Sequence, residues 1–189
     1  YGLPPPGSGS GSGSGEADAA TFLSRHGLVC LWDLGADRTK PATVLLCAGS
    51  PTCVAVRPGT ESVVVAGTQD GGVVVWDLSE SRHLHQSQFS AALGVSSGLR
   101  LPSYSTDGTL EPHASPITSV QLIPSGGHST THATDDTLAT QVVSADDRGI
   151  VAVWSLFATQ PASLSDRDAD LRQGLASRAR LAAVAVVDA

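Results

Sequence analysis

The sequence predicts an all-β protein built from repeated units of short antiparallel strands. Aromatic residues make up only 4% of the 189 residues, whereas there are 20 glycines, a balance that favours many strands and turns over large helices. Three segments also align on tryptophan: HGLVCLWDL from His26, DGGVVVWDL from Asp70 and RGIVAVWSL from Arg148. Three matching units are much harder to obtain by chance than one.

In each aligned segment a glycine predicts a tight turn and the residues after it predict a strand. The glycine stands five residues before the tryptophan, where a positive φ is easily reached without a Cβ, and apolar residues then alternate up to the tryptophan. A leucine follows two residues later. The residues concerned are Gly27, Gly71 and Gly149, then Trp32, Trp76 and Trp154, then Leu34, Leu78 and Leu156.

Two further strands precede each of the later segments. Residues 52–69 hold an alternating strand, a Pro-Gly turn and a second strand, and residues 115–125 with 137–146 have the same arrangement. Each unit therefore contains at least three strands, the last of which ends at a tryptophan. The 44 residues from Trp32 to Trp76 match the ~40–45 residues of one four-stranded propeller blade.

The interval from Trp76 to Trp154 is 78 residues, which corresponds to one blade plus insertions. We expect the extra residues near 86–112 and 125–136, as exposed loops rich in Ser, Thr, Gly and His. Residues 1–20 form a flexible Pro/Gly/Ser linker, and the partial propeller occupies 21–189.

The C-terminal stretch RARLAAVAVVDA, residues 178–189, predicts a further strand. A helix over 168–183 is the alternative, and Gly174 in its middle disfavours it. The chain contains no methionine, so we expect it to be an internal piece of a longer polypeptide.

The charge pattern argues against nucleic acid and anionic membranes as partners. The net charge is −7, Lys40 is the single lysine, and the ten arginines are scattered. No apolar run approaches the ~18 residues of a membrane span, and no signal peptide is visible, so we expect a soluble intracellular protein. Cys30, Cys47 and Cys53 lie in apolar, strand-like contexts, and we expect buried thiols rather than a disulfide pair.

These residues resemble the WD-repeat β-propeller family. The resemblance rests on the WDL endings at Trp32 and Trp76, on the glycine-to-tryptophan spacing, and on PHASPITSVQLIP, which starts at Pro112 and is similar to the family's strand entry. It implies about two and a half four-stranded antiparallel blades, whereas a closed ring needs about 4–8. Because open edges and bare blade faces would remain, we expect residues 21–189 not to be stable alone.

In such blades a His, a Ser or Thr, an Asp and a Trp form a buried hydrogen-bonded set, which the resemblance assigns to His113, Ser144, Asp146 and Trp154. The preceding blade keeps Asp70 and Trp76 but has Ala66 at the serine position and AGS, residues 48–50, at the histidine position. The structural blade residues that the resemblance implies are Trp32, Asp33, Asp70, Trp76, Asp77, His113, Ser144, Asp146 and Trp154.

A narrower resemblance covers roughly residues 22–187. YSTDGTLEPHASPI, from Tyr104, and SLSDRDADLRQGLASRARLAAV, from Ser163, resemble the first half of the propeller in the WD-repeat intermediate chains of cytoplasmic dynein 2, the motor of retrograde intraflagellar transport. It implies a non-catalytic scaffold whose propeller binds the tail of the dynein 2 heavy chain and supports cilium assembly. The alternative is another WD-repeat adaptor, such as a ubiquitin-ligase substrate receptor or another transport or axonemal dynein intermediate chain.

The same resemblance implies a set of partners and a location. The partners are the dynein 2 heavy chain, a second WD-repeat intermediate chain, dynein light chains bound through regions outside this chain, and proteins of the intraflagellar transport train. The location is the cytoplasm and cytoskeleton, with the cilium or flagellum and its basal body. No nucleic acid and no membrane insertion are implied, and the partner-binding residues are unknown.

Sequence motifs for catalysis or cofactor binding are missing, so we expect no enzyme, no cofactor and no metal. The glycines of residues 67–72 lie between two strands and predict a hairpin turn rather than a nucleotide loop. The alternative to the absence of a metal is a site formed by His128 and His132, with Asp135 and Asp136 nearby. Their four-residue spacing aligns two side chains only on a helix, and this segment is a poor helix former, which favours a solvated loop.

Overall fold

The computed structural model describes residues 21, 24, 26–35, 39–57, 62–81, 99–106, 112–124, 140–158 and 179–188. The strands are β1 (His26–Leu31), β2 (Thr43–Ala48), β3 (Pro51–Val56), β4 (Val63–Thr68), β5 (Val73–Asp77), β6 (Leu99–Arg100), β7 (Tyr104–Ser105), β8 (Ile117–Pro124), β9 (Thr140–Asp146), β10 (Ile150–Ala158) and β11 (Ala179–Asp188). The all-β class is confirmed. Within the described ranges, no helix is long and apolar enough to cross a membrane.

The strands form three sheets, which we call the first, second and third sheet in chain order. The first sheet has the order β1-β2-β6, the second β3-β4-β5-β7, and the third β8-β9-β10-β11. All neighbours in the second and third sheets are antiparallel, as in the four-stranded blades of a propeller. The first sheet is an antiparallel hairpin to which β6 adds in parallel. Two complete blades and part of a third are therefore compatible with the sheets.

The second and third sheets repeat the same register. Pro51 pairs with Thr68 at the start of the second sheet, and Ile117 pairs with Asp146 at the start of the third. A register shift follows immediately in both cases, so each first strand begins with the same irregularity. Positions in one sheet can therefore be equated with positions in the other by counting from these pairs.

The second sheet lies between the other two, and its strands are buried on both faces. Val63 and Val65 contact the third sheet, whereas Val64 and Trp76 contact the first. This two-sided burial explains why β4 and β5 read as nearly unbroken apolar runs instead of alternating with polar residues. Most of the hydrophobic core therefore lies at the two junctions between the sheets.

Trp32 does not occupy the blade core expected for it. Its side chain is 48% exposed, compared with 0% for Trp76 and 4% for Trp154. Each of the two buried tryptophans contacts the sheet that precedes its own in the chain. Val29 and Leu31 contact the second sheet, which leaves Trp32 on the opposite face, and the described residues include no sheet in front of that face.

The repeated spacing of glycine before tryptophan has two physical causes. Gly71 and Gly149 adopt φ of 85° and 89°, so the predicted turn is present at both. A Cβ on Gly71 would also lie 2.6 Å from the carbonyl oxygen of His113. Gly27 instead lies within β1, where a Cβ would meet the ring of Pro51 at 2.1 Å. Gly27 is therefore required by its close approach to the start of β3 and not by a turn.

Other predictions had mixed outcomes. The C-terminal strand is confirmed as β11. Part of the expected insertion near 86–112 is instead ordered, because 99–106 contain β6 and β7 with mostly buried residues. Strands of two residues carry no periodicity, which is why the sequence did not indicate them. Residues 1–20 and 125–136, with His128, His132, Asp135 and Asp136, lie outside the described residues.

The cysteines are partly as expected. No disulfide joins them. Cys47 is buried, as predicted, but Cys53 is only half-buried and Cys30 is exposed. Its side chain lies on the same face of β1 as Trp32, which no described sheet covers.

Candidate functional site

Four polar and aromatic residues form a buried cluster in the third sheet, which we call the tetrad. Nδ1 of His113 lies 3.1 Å from Oδ2 of Asp146, and Nε2 lies 2.7 Å from Oγ of Ser144. The indole nitrogen of Trp154 donates to the same Oγ at 2.8 Å. All four residues are at most 6% exposed. The structure thus brings together the four residues that the sequence resemblance grouped.

For a neutral imidazole ring of His113, the hydrogen bonds of the tetrad run in one consistent set of directions. A carboxylate only accepts, so the ring of His113 donates from Nδ1 to Asp146, which leaves Nε2 as an acceptor. Ser144 then donates to Nε2 while its oxygen accepts the indole N–H of Trp154. Each polar atom of the three side chains beside Asp146 has a partner, which is what burial away from water requires.

Asp146 also holds the turn between β9 and β10. Its Oδ1 accepts the backbone N–H groups of Arg148 and Ile150, both at 2.9 Å. Burial of the carboxyl raises its pKa, but the hydrogen bonds from His113 and from the two backbone groups outweigh burial and hold the pKa of Asp146 below its ordinary value of 3.8. The carboxylate therefore joins the turn to the side-chain cluster.

The hydrogen-bonded order of Ser144, His113 and Asp146 is also the order of a catalytic triad. A nucleophilic serine must present its oxygen to a substrate carbonyl. Ser144 is 0% exposed, and its oxygen already accepts an indole N–H. No acyl carbon reaches this oxygen without dismantling the sheet, so the geometry supports a structural cluster.

The second sheet has lost this cluster at every position except the tryptophan. By register, Ala66 corresponds to Ser144, and Thr68 corresponds to Asp146. The hydroxyl of Thr68 accepts the N–H of Gly72 at 2.9 Å, just as Asp146 accepts that of Ile150. The interpretation of Asp70 as the blade aspartate is therefore corrected: Asp70 lies in the turn, and Thr68 has the equivalent position.

Loss of the serine leaves a buried donor without an acceptor. The indole nitrogen of Trp76 has no hydrogen-bond partner among the described residues, and Trp76 is 0% exposed. Pro51 corresponds to Ile117 by register. His113 lies four residues before Ile117, and Cys47 lies four residues before Pro51, so Cys47 has the position of the histidine. This is one residue before the AGS segment in which the histidine position was expected. The sequence contained the signal for this, since it showed Ala66 in place of a serine.

The aspartates that follow the first two tryptophans close turns at or just after the ends of their strands. Oδ1 of Asp33 accepts the N–H of Gly35 at 2.8 Å, and Oδ1 of Asp77 accepts that of Ser79 at 2.9 Å. Both are turns closed by an aspartate side chain two residues back. Asp33 is exposed and Asp77 is 3% exposed. Within the described ranges, no group of three or more His, Cys, Asp or Glu side chains is placed to hold a metal ion.

Comparison with known proteins points to one kind of subunit. No protein-family model matches the chain. Cytoplasmic dynein 2 intermediate chain 1 of Mus musculus is 30% identical over 166 residues, which are 82% of this chain. The protein of the same name from Homo sapiens is 30% identical over 158 residues, 76% of this chain. The chain resembles a dynein 2 intermediate chain. The narrower resemblance stated from the sequence is thereby confirmed.

The matched region is a small part of those intermediate chains. The chain spans 16% of the length of the mouse protein and 14% of the human one. The similarity therefore concerns one segment of an intermediate chain.

Proposed function

We propose that the chain is part of a non-catalytic scaffold subunit, an intermediate chain of the cytoplasmic dynein 2 complex. Its propeller binds the tail of the dynein 2 heavy chain, and the subunit supports retrograde intraflagellar transport and cilium assembly. The other partners are a second WD-repeat intermediate chain, dynein light chains bound outside this chain, and proteins of the transport train. The subunit works in the cytoplasm and cytoskeleton, at the basal body and in the cilium or flagellum.

One observation carries this proposal: the 30% identity to two dynein 2 intermediate chains extends over 82% and 76% of the chain. A match of this extent includes most of the polypeptide and not merely the short tryptophan motifs that all WD repeats share. Blade-like sheets fit the resemblance, because a propeller supplies a rigid platform for protein partners.

The chemistry of the tetrad favours a scaffold over an enzyme. Its one histidine uses both ring nitrogens for partners inside the sheet, and its serine is inaccessible. Such a network rigidifies a blade and leaves no group to take or give a proton to a substrate. The surfaces and loops of the sheets are then the sites at which partners bind.

The alternative within the same fold is a different WD-repeat adaptor, such as a ubiquitin-ligase substrate receptor or another transport or axonemal dynein intermediate chain. The two proposals differ in the proteins that accompany the subunit. We expect affinity purification of the full-length protein from ciliated cells to recover a dynein 2 heavy chain. Recovery of a ubiquitin-ligase core or an axonemal heavy chain, without the dynein 2 heavy chain, would favour the alternative.

A further inference from the structure

The short strand β6 belongs to a different sheet from the strands on either side of it in the chain. Leu99 and Arg100 lie in parallel along the outer edge of β2, paired with Val44 and Leu45 in the first sheet. The chain then returns at once to the second sheet, where the N–H of Ser103 donates to the carbonyl of Val75 at 2.8 Å. Residues 99–103 therefore cross from one sheet to its neighbour.

The side chain of Arg100 points back to the sheet that its backbone has left. Nη2 donates to the carbonyl oxygen of Asp77, the last residue of β5, and to that of Glu80 at 3.0 Å. Arg100 is only 6% exposed, so its charge depends on these bonds for solvation. The backbone of one residue thus belongs to the first sheet while its guanidinium holds the end of a strand in the second.

Ser103 completes the attachment on the side of the second sheet. Its hydroxyl oxygen accepts the N–H of Asp77 at 2.9 Å, and the hydroxyl donates to the carboxylate of Glu80 at 2.8 Å. Together with Arg100, it engages the N–H and the carbonyl of Asp77 and both the carbonyl and the carboxylate of Glu80. Residues 99–103 are therefore attached to the end of β5 by four side-chain hydrogen bonds.

We propose that residues 99–103 form a clasp that makes the outer edge of β2 and the end of β5 open only together. Two ladder positions are too few to hold a strand by themselves, so β6 remains on β2 because Arg100 is anchored at Asp77 and Glu80. At Val44 and Leu45 the clasp covers part of an edge that would otherwise be free to accept a strand from another chain. A partner that adds a strand to β2 must consequently release the end of β5 first.

Hydrogen exchange of the full-length protein tests the clasp, with Arg100→Ala as the main variant. The substitution removes the guanidinium bonds to the carbonyl groups of Asp77 and Glu80 in the second sheet. We expect exchange to accelerate about tenfold or more both in residues 73–79 and in residues 43–48 of the first sheet, because loss of hydrogen bonds from a charged donor opens both. Arg148→Ala, which removes an exposed guanidinium from a turn of the third sheet, is the matched control and should leave both segments unchanged.

Arg100→Lys keeps the charge but loses the planar fork, so it should show the same two-segment pattern more weakly. This variant decides the question if Arg100→Ala does not fold. Acceleration confined to residues 73–79, with residues 43–48 exchanging as in the wild type, would overturn the clasp. Unchanged exchange in both segments would overturn it as well.

Discussion

Ser144 accepts the indole N–H of Trp154 at 2.8 Å, and this bond has no equivalent in the neighbouring blade. There, Trp76 has the same place in its strand, but Ala66 stands where the serine would be. One blade is thus held by a satisfied polar network, and the next is held by packing around an indole nitrogen that has no acceptor among the described residues. The two adjacent sheets should therefore respond in opposite ways to changes at Ala66 and Ser144.

Ala66→Ser should stabilise the second sheet. The new hydroxyl offers Trp76 the acceptor that Ser144 gives Trp154, and we expect a gain of about 1 kcal/mol in the free energy of opening of β5. Hydrogen exchange of the full-length protein measures that free energy strand by strand. A double-mutant cycle with Trp76→Phe provides the control, because phenylalanine keeps an aromatic ring without the N–H. A gain that survives in the Trp76→Phe background would show that the new bond is not its cause.

Ser144→Ala should have the opposite effect in the third sheet. It leaves both the indole N–H of Trp154 and Nε2 of His113 without a partner, each buried, at a cost of about 2–4 kcal/mol. Ser119→Ala, on the exposed side of the neighbouring strand β8, is the matched control and should change stability by less than about 0.5 kcal/mol. Hydrogen exchange in β9 and β10 gives both values, and equal effects of the two substitutions would contradict the role of the tetrad.

Acid should weaken the third sheet through Asp146. The pKa of its carboxyl lies below the ordinary value of 3.8, so the ionised form stabilises the folded state. This contribution is fully present above the pKa of the unfolded chain and is lost as the pH falls through the lower pKa of the folded chain. We therefore expect the urea midpoint of unfolding to fall as the pH is lowered from about 5 to about 3.

Asp146→Asn should lower the midpoint at neutral pH and flatten its dependence on acid, because an amide does not titrate. Asp147→Asn changes the exposed neighbour and is the matched control. If the urea midpoint of Asp146→Asn fell with pH as steeply as that of the wild type, a group other than Asp146 would be responsible for the loss of stability in acid.

Trp32 should be covered in the full-length protein. Trp76 and Trp154 each face a preceding sheet, and Trp32 lies on the corresponding face of the first sheet with 48% exposure. A sheet that packs there in the same manner would bury it. Hydroxyl-radical footprinting of the full-length protein should then oxidise the Trp32 peptide as slowly as the Trp76 peptide. Oxidation of Trp32 that is many times faster would show an open face instead.

Much of this architecture could be predicted from local patterns in the sequence. The tryptophan units and the alternation before them indicated the three-strand units, because burial of one face of a strand produces a period of two. The tetrad of His113, Ser144, Asp146 and Trp154 was assigned through the resemblance to WD-repeat blades.

The features that escaped prediction depend on contacts between sheets. β6 has only two residues, and the sequence around Leu99 and Arg100 contains no pattern that predicts pairing with β2. The exposure of Trp32 depends on which sheet stands in front of it, and the need for Gly27 depends on the ring of Pro51. Thr68 was overlooked for a different reason. Its hydroxyl accepts a backbone N–H of the turn four residues later, as the carboxylate of Asp146 does in the third sheet, although the two residue types differ.

Recovery of the dynein 2 heavy chain with a blade-disrupted subunit tests the account most directly. The variant is the full-length protein carrying His113→Ala and Ser144→Ala, with faster hydrogen exchange in β9 and β10 as proof that the blade is disrupted, and Ser119→Ala is the control. The account predicts that purification from ciliated cells recovers the heavy chain with the wild type and the control but not with the double variant, while light chains bound elsewhere are retained. Undiminished recovery of the heavy chain with a disrupted blade would contradict it.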